Sequence, residues 1–272
     1  MSVVPTEENE PIRKMTTSAG RLRQQLSIMR SASPVEGARN RTGVDVIPGS
    51  LGIAPDHNNS FTPRAVIRAI HLLGQMLDDV EAEILETRLP EEDKRFYLET
   101  LPDVANSISP MRLNEPWNEG KKLISDVVLR DLSHIDRILQ REIGEKQIPK
   151  SNLTELWDEV QEAANALNSA ELDEDLKDFI AQQLLRIKDA IDHYRFRGRR
   201  GLAEALAAYG GGLAMVSASA VPPKTEEGKP WIERLLRVWK RGLTVLDMAK
   251  KTHEAWPQIA AGFDHLTKLL PK

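Results

Sequence analysis

The fold of this chain is decided by the stretch Leu172–Val221, LDEDLKDFIAQQLLRIKDAIDHYRFRGRRGLAEALAAYGGGLAMVSASAV. In its first half, apolar residues recur three and four positions apart, which predicts an amphipathic helix with one buried face. Acids fill the first turn of this helix and arginines the last turn, an arrangement that the helix dipole favours. We expect Gly198 to end the helix and a second helix to follow over Leu202–Ala208.

The composition agrees with a helical protein. The 272 residues include no cysteine, 5% are aromatic, and the net charge is −4. The lack of cysteine excludes disulfides, thiolate metal sites and a cysteine nucleophile. The mild charge gives no global attraction to nucleic acid or to an anionic membrane. Because helix-forming residues dominate and no secretory signal pattern is visible, we predict an all-α, irregular multi-helix bundle in the cytoplasm.

The chain is expected to have four segments. Residues 1–61 are rich in arginine, serine and proline and are predicted to form a flexible basic arm, with a short helix near Ala19–Met29. Residues 62–221 form the predicted helical domain. Residues 222–230, which begin with two prolines, form a polar linker. Residues 231–272 form a C-terminal amphipathic helical extension.

Within the predicted helical domain, local signals indicate where helices start and stop. The expected helices are Thr62–Pro90, Glu91–Leu101, Pro116–Ile143 and Asn152–Asn168. The buried stripe predicted for the first of them is Val66, Ile70, Leu73, Leu77, Val80 and Ile84. The acids of that helix, from Asp78 and Asp79 to Glu83, are expected to lie on its solvated face. In the second helix, Phe96, Tyr97 and Leu101 are expected to be buried.

A basic corner follows the central helix. Gly198 and Gly201 enclose two arginines, so that a GxxG sequence lies between two predicted helices. Helix–GxxG–helix corners bind nucleic-acid backbone in KH domains, although the strands of that fold are missing here. The candidate anion or nucleic-acid contacts are Arg195, Arg197, Arg199 and Arg200. The alternative is an ordinary connection with solvated arginines above a buried Tyr194 and Phe196.

The same corner carries a resemblance. The pattern AIDHYRFRG at 190–198, followed by Gly201-Leu202 and Ala205-Leu206, resembles a helical segment of uncharacterised bacterial proteins, some of them apparently linked to phage defence. The resemblance covers residues 172–216. It implies a bacterial protein and carries no assigned active site.

A charge-free run of small residues extends from Ala205 to Pro223. Three consecutive glycines, Gly210, Gly211 and Gly212, would cost roughly 1 kcal/mol each inside a helix relative to alanine. They therefore indicate a break, a hinge or close backbone packing. The run is nearly long enough to cross a bilayer, but its alanines, glycines and serines favour a buried helix–helix contact.

The last predicted helix is basic and contains tryptophan. Its apolar residues repeat three and four positions apart, and it could pack on its own domain, bind a partner or a second copy, or lie on a membrane surface. The candidate interaction anchors are Ile232, Leu235, Trp239, Leu246 and Trp256.

No catalytic, cofactor or metal motif is recognisable. The six histidines are scattered, and no pair has the spacing of two metal ligands on one helix face. Two acid–histidine pairs, Asp131 with His134 and Asp189 with His193, are expected to be surface ion pairs. No cofactor and no small-molecule substrate is indicated.

The pattern as a whole predicts a non-enzymatic interaction or assembly protein. It would act by helix-mediated self-association or by binding a protein partner, in a bacterial phage-defence or toxin-type system. Two alternatives remain open: a membrane-acting effector that uses residues 205–221 and the last helix, and a nucleic-acid-binding module that uses the basic corner at 194–201.

Overall fold

The computed structural model of the protein describes residues 17–32, 42–57, 60–110, 113–143, 147–168, 174–219 and 229–248. The helices are α1 (Ser18–Ser31), α2 (Gly43–Ser50), α3 (Pro63–Glu86), α4 (Glu91–Leu98), α5 (Leu101–Ser107), α6 (Trp117–Gly120), α7 (Asp126–Glu142), α8 (Lys150–Asn168), α9 (Glu174–Asp192), α10 (Tyr194–Ser219) and α11 (Lys229–Met248). Extended pairing in these ranges is limited to an isolated bridge between Thr42 and Pro116. The predicted all-α class is confirmed.

Side-chain caps begin three of the long helices. The Thr62 hydroxyl accepts a hydrogen bond from the Ala65 amide, and Pro63 occupies the first turn of α3, as the sequence predicts. Thr17 begins α1 in the same way. Ser125 caps the start of α7. The prediction of a single helix over Pro116–Ile143 is therefore wrong. The chain leaves the helical conformation at Ile124, which is fully buried.

The first hydrophobic core is built around α1. Its apolar residues Ala19, Leu22, Leu26 and Met29 are fully buried against α3 and α7. The expectation of a flexible arm over residues 1–61 is therefore wrong for α1 and for α2. The apolar stripe of α1 is narrow and lies beside basic residues. The overall composition of the segment therefore gives little sign that this helix is buried. Residues 1–16, 33–41 and 58–59 of the expected arm lie outside the described residues.

The second core is formed by α8, α9, α10 and α11. Helix α11 contributes Leu235, Trp239 and Leu246 to it, each almost fully buried. The last helix is thus part of the second core. The boundary predicted at residue 222 does not make it a separate extension. The linker residues 222–228 and the end of the extension, 249–272, lie outside the described residues.

The division between the two cores falls near residue 145. Ile143 packs on the first core, and Ile148 belongs to the second. The predicted domain 62–221 therefore spans both cores and omits α1, α2 and α11. The second connection between the cores is the segment Tyr194–Gly201, which we call the corner.

Helix α10 runs through all three glycines, so the break predicted at Gly210–Gly212 is absent. It is interrupted instead at Gly198, where φ is 57° and ψ is −146°. A Cβ atom at Gly210 would overlap the Trp239 indole, and a Cβ at Gly242 would overlap Leu206. These two glycine–large residue pairs, which we call the interlock, bring α10 and α11 close together. The packing alternative thus holds for Gly210, whereas Gly211 is exposed.

Candidate functional site

The corner inserts into the first core, although it connects two helices of the second. The Phe196 ring is 6% exposed and packs within the first core. The Arg195 guanidinium lies 4.4 Å from the centre of that ring and donates a hydrogen bond to the Leu51 carbonyl oxygen at 2.6 Å. The corner is therefore the point at which the two cores are docked.

Two further corner arginines pair with acids of α3. Arg197 donates two hydrogen bonds to the Asp79 carboxylate, at 3.0 and 2.7 Å, and a third to Glu204 at 2.9 Å. Arg200 donates to Glu86 at 2.9 Å, and its Nε lies 3.5 Å from Asp79. Bidentate arginine–carboxylate pairs are among the strongest hydrogen-bonded contacts in proteins. We call these contacts, with those of Arg195 and Phe196, the junction.

Asp79 is the most deeply buried charged group of the junction, since its side chain is only 2% exposed. Burial raises the pKa of Asp79, and the Arg197 guanidinium opposes that shift. A carboxylate in this position needs its guanidinium partners to remain charged. The junction consequently holds α10 against α3 in one specific register.

A second buried acid of α3 holds the start of α1. The Glu83 carboxylate accepts hydrogen bonds from the Ser18 amide at 2.9 Å and from the Ser18 hydroxyl at 2.6 Å. Arg21 donates to the same hydroxyl and lies 3.6 Å from Glu83. A Cβ atom at Gly198 would overlap the Arg21 guanidinium, so the glycine allows the corner to lie directly on α1. The network thus connects α1, α3 and α10.

The expectation that Asp79 and Glu83 lie on a solvated face is wrong. A sequence signal could have located them, since Leu72, Met76, Asp79 and Glu83 follow one another at helical spacing. The first two are buried, and the acids continue the same stripe. Ile70 and Leu77, which were predicted for the stripe, are half-buried.

The four arginines predicted to contact nucleic acid are placed differently from one another. Arg195, Arg197 and Arg200 donate hydrogen bonds to acceptors within the protein. Arg199 is half-buried, and its Nε atom has no hydrogen-bond partner among the described residues. A phosphate at the corner would therefore compete with Asp79, Glu86 and Glu204. Nucleic-acid binding stays a prediction.

Three of the interaction anchors predicted on the last helix are buried in the second core of the protein. Leu235, Trp239 and Leu246 are 2%, 1% and 2% exposed, so they cannot serve as surface anchors in this fold. The prediction is wrong for these three residues. The Ile232 side chain and the whole of Trp256 lie outside the described residues.

Arginines on the basic side of α11 also form ion pairs within the protein. Arg237 lies 3.8 Å from Glu159 and 3.5 Å from Glu162 of α8, and Arg241 pairs with Glu155. Because the residue numbers rise on one helix as they fall on the other, the two helices are antiparallel. This acidic row on α8 pairs with Arg237 and Arg241, two of the basic residues that suggested a membrane surface or a partner's groove.

His193 lies at the start of the corner, between α9 and α10. Its Nδ1 atom is 2.8 Å from the Asp189 carbonyl oxygen, and its Nε2 atom is 3.5 Å from the Arg68 guanidinium of α3. Arg68 also pairs with the Asp189 carboxylate at 3.2 Å. Burial and the nearby Arg68 charge lower the pKa of His193. The imidazole thus faces a cation rather than a set of metal ligands.

Two kinds of feature are absent from the described residues. No group of three or more histidine and acidic side chains there has the arrangement of a metal site. Among the helices described above, none combines the length and apolar character that crossing a bilayer requires.

A different surface feature appears on α4. This helix buries none of its residues, and Phe96, expected to be buried, is 63% exposed. That expectation is wrong for Phe96, whereas Leu101 is buried as predicted. The helix is held by Lys94, which donates to the Leu85 carbonyl at 3.2 Å, and by the half-buried Tyr97, whose ring meets Phe96 edge-on at 5.3 Å. Phe96 therefore projects from a short helix attached to the surface.

Comparison with known proteins adds no family to this description. No family model, curated protein or solved structure matches the chain.

Proposed function

We propose that this protein is a non-enzymatic helical interaction protein that binds a protein partner through α4. The observation that carries the proposal is the exposure of Phe96 on a helix that contributes no buried residue. Single exposed aliphatic residues are common on proteins, but aromatic residues are enriched in interfaces. Phe96 is the aromatic member of the exposed large hydrophobic side chains in the described ranges.

The surroundings of Phe96 indicate the chemistry of the partner. Glu92 precedes Phe96 by four residues and Glu99 follows it by three, so both lie on its side of the helix. Both acids are exposed, as is Asp93. An exposed aromatic ring with two acids on its side of the helix, of which Glu99 also lies 3.7 Å from Arg95, suits a partner segment with apolar and basic side chains, because a cation can lie over the ring beside the acids.

The same charges argue against symmetric pairing of two α4 helices. A two-fold contact would bring the acids of one copy against those of the other, and like charges across an interface are unfavourable. We therefore favour a different protein over a second copy of the chain as the occupant of this surface. The resemblance of residues 172–216 to bacterial proteins supports a partner in a phage-defence or toxin-type system.

Site-specific crosslinking would test the proposal. A photoreactive phenylalanine analogue at position 96 should capture a defined partner in cells that produce the protein naturally, and the same analogue at Leu185 should not. Leu185 is the matched control because it is 57% exposed on α9, in the other core.

Binding of the purified partner gives the quantitative test. Phe96→Ala should weaken binding at least about tenfold if Phe96 is an interface anchor, while Leu185→Ala should leave binding unchanged. Equal binding by Phe96→Ala and the wild-type protein would refute the proposal. A native mass that rises with concentration, and does so equally in Phe96→Ala, would indicate self-association through another surface.

A further inference from the structure

A second feature, independent of α4, lies where α9 meets the first core. His193 is the residue between α9 and α10, and its backbone forms hydrogen bonds with both helices. Its amide donates to the Asp189 carbonyl at 2.9 Å, and its own carbonyl accepts hydrogen bonds from the Phe196 and Arg197 amides at 2.9 and 3.1 Å. The position of the His193 ring is therefore tied to the position of the corner.

The contacts of the ring select one protonation state. A carbonyl oxygen only accepts hydrogen bonds, so the nitrogen 2.8 Å from the Asp189 oxygen, Nδ1, must carry a hydrogen. Arg68 only donates, so the nitrogen that faces it at 3.5 Å, Nε2, must present its lone pair. Both requirements are met by the neutral ring with its hydrogen on Nδ1. A protonated ring would direct an N–H group at the Arg68 guanidinium.

The charged groups around the ring come from both cores. Arg68 of α3 disfavours a second positive charge, whereas Asp189 and Asp192 of α9 favour it, and α10 contributes the uncharged Phe196 ring at 6.4 Å. Asp189 is already paired with Arg68. Protonation of His193 would place a second cation beside the Arg68–Asp189 pair.

We propose that His193 is a proton-sensitive latch between the two cores. The neutral ring accepts a hydrogen bond from Arg68 and so strengthens the connection between the end of α9 and the start of α3 that the Arg68–Asp189 pair also makes. The imidazolium cannot accept this bond and repels Arg68, so the contact opens. Arg197 and Asp79 keep the corner docked, and the opening is therefore local to the contact between Arg68 and the end of α9.

The direction of the pH dependence follows from the contacts. Because burial and Arg68 lower the pKa of His193 in the folded protein, the latch is intact above the ordinary histidine value of about 6.5. It weakens as the pH falls below that value, until the folded protein itself takes up the proton. A single proton changes the opening equilibrium by at most about tenfold per pH unit.

Hydrogen exchange of the full-length protein tests the latch. After correction for the intrinsic effect of pH on exchange, protection of the last two turns of α9 should fall in the wild-type protein between about pH 7.5 and about pH 5.5. His193→Gln keeps an acceptor for Arg68 but has no titratable group, so its protection should not change over that range. His71→Gln, which removes an exposed histidine of α3, should behave as the wild type.

Nuclear magnetic resonance titration of the His193 ring gives a second measurement. The wild-type ring should titrate below the ordinary histidine value, and Arg68→Met should move its titration upward, because the opposing cation is gone. The proposal is overturned if His193→Gln shows the same pH dependence of exchange as the wild type. It is equally overturned if Arg68→Met leaves the titration of His193 unchanged.

Discussion

Two of the contacts that hold α10 in place, the interlock and the junction, are of opposite kinds. The interlock fixes α10 to α11 through apolar surfaces, in which Gly210 lies under the Trp239 indole and Gly242 beside Leu206. The junction fixes the beginning of α10 to α3 through charges, with Arg197 and Arg200 around the buried Asp79. The interlock depends on the volumes of its side chains, and the junction depends on the pairing of each charge with an opposite charge.

This difference determines which changes each contact tolerates. In a close-packed interior, adding or removing a few atoms produces strain or a cavity. In a buried ion pair the attraction is largely offset by desolvation, so that losing one partner is costly whereas replacing both is often tolerated. The interlock should therefore respond to size, and the junction should respond to an unbalanced charge.

The largest effect should come from Trp239, which is 1% exposed. Trp239→Ala should lower the free energy of unfolding by about 3–5 kcal/mol, because it leaves a large cavity between α10 and α11. Urea denaturation followed by circular dichroism would measure the change. A loss below about 1 kcal/mol would show that α11 is not a required part of the second core.

A smaller loss is expected at the junction. Arg197→Met should lower the free energy of unfolding by about 3 kcal/mol, since Asp79 would keep only the more distant Arg200 as a partner. The double variant Arg197→Met with Asp79→Leu should be more stable than the single variant. If the two changes add, the pair does not act as a unit, and the junction differs less from the interlock than we propose.

The neighbouring glycines of α10 offer the finest test. Gly210→Ala should destabilise the protein by about 1–3 kcal/mol, because its Cβ meets the Trp239 ring. Gly211→Ala should instead stabilise it by up to about 1 kcal/mol, because nothing lies near its Cβ and alanine favours the helix. Thermal melts of the two variants would show opposite shifts. In the Trp239→Ala background, Gly210→Ala should no longer destabilise.

Local signals in the sequence predicted most helices but fewer of their ends. Thr62 and Pro63 start α3 as expected, because capping depends on residues within one turn. The break between α6 and α7 was missed because it depends on burial of Ile124 in a core built by distant helices. Helix α1 was underrated for the same reason, since its narrow stripe becomes a core only with α3 and α7 around it.

The sequence by itself determined the helical class and several caps, and for Gly210–Gly212 it left a break, a hinge and close packing open. Only the tertiary structure decided which side chains stay exposed. The corner arginines looked available because their acids are far away along the chain, Asp79 being 118 residues from Arg197. Phe96 looked buried because its spacing resembles that of core residues. Ion pairing and burial depend on separation in space, which folding sets and local sequence patterns do not record.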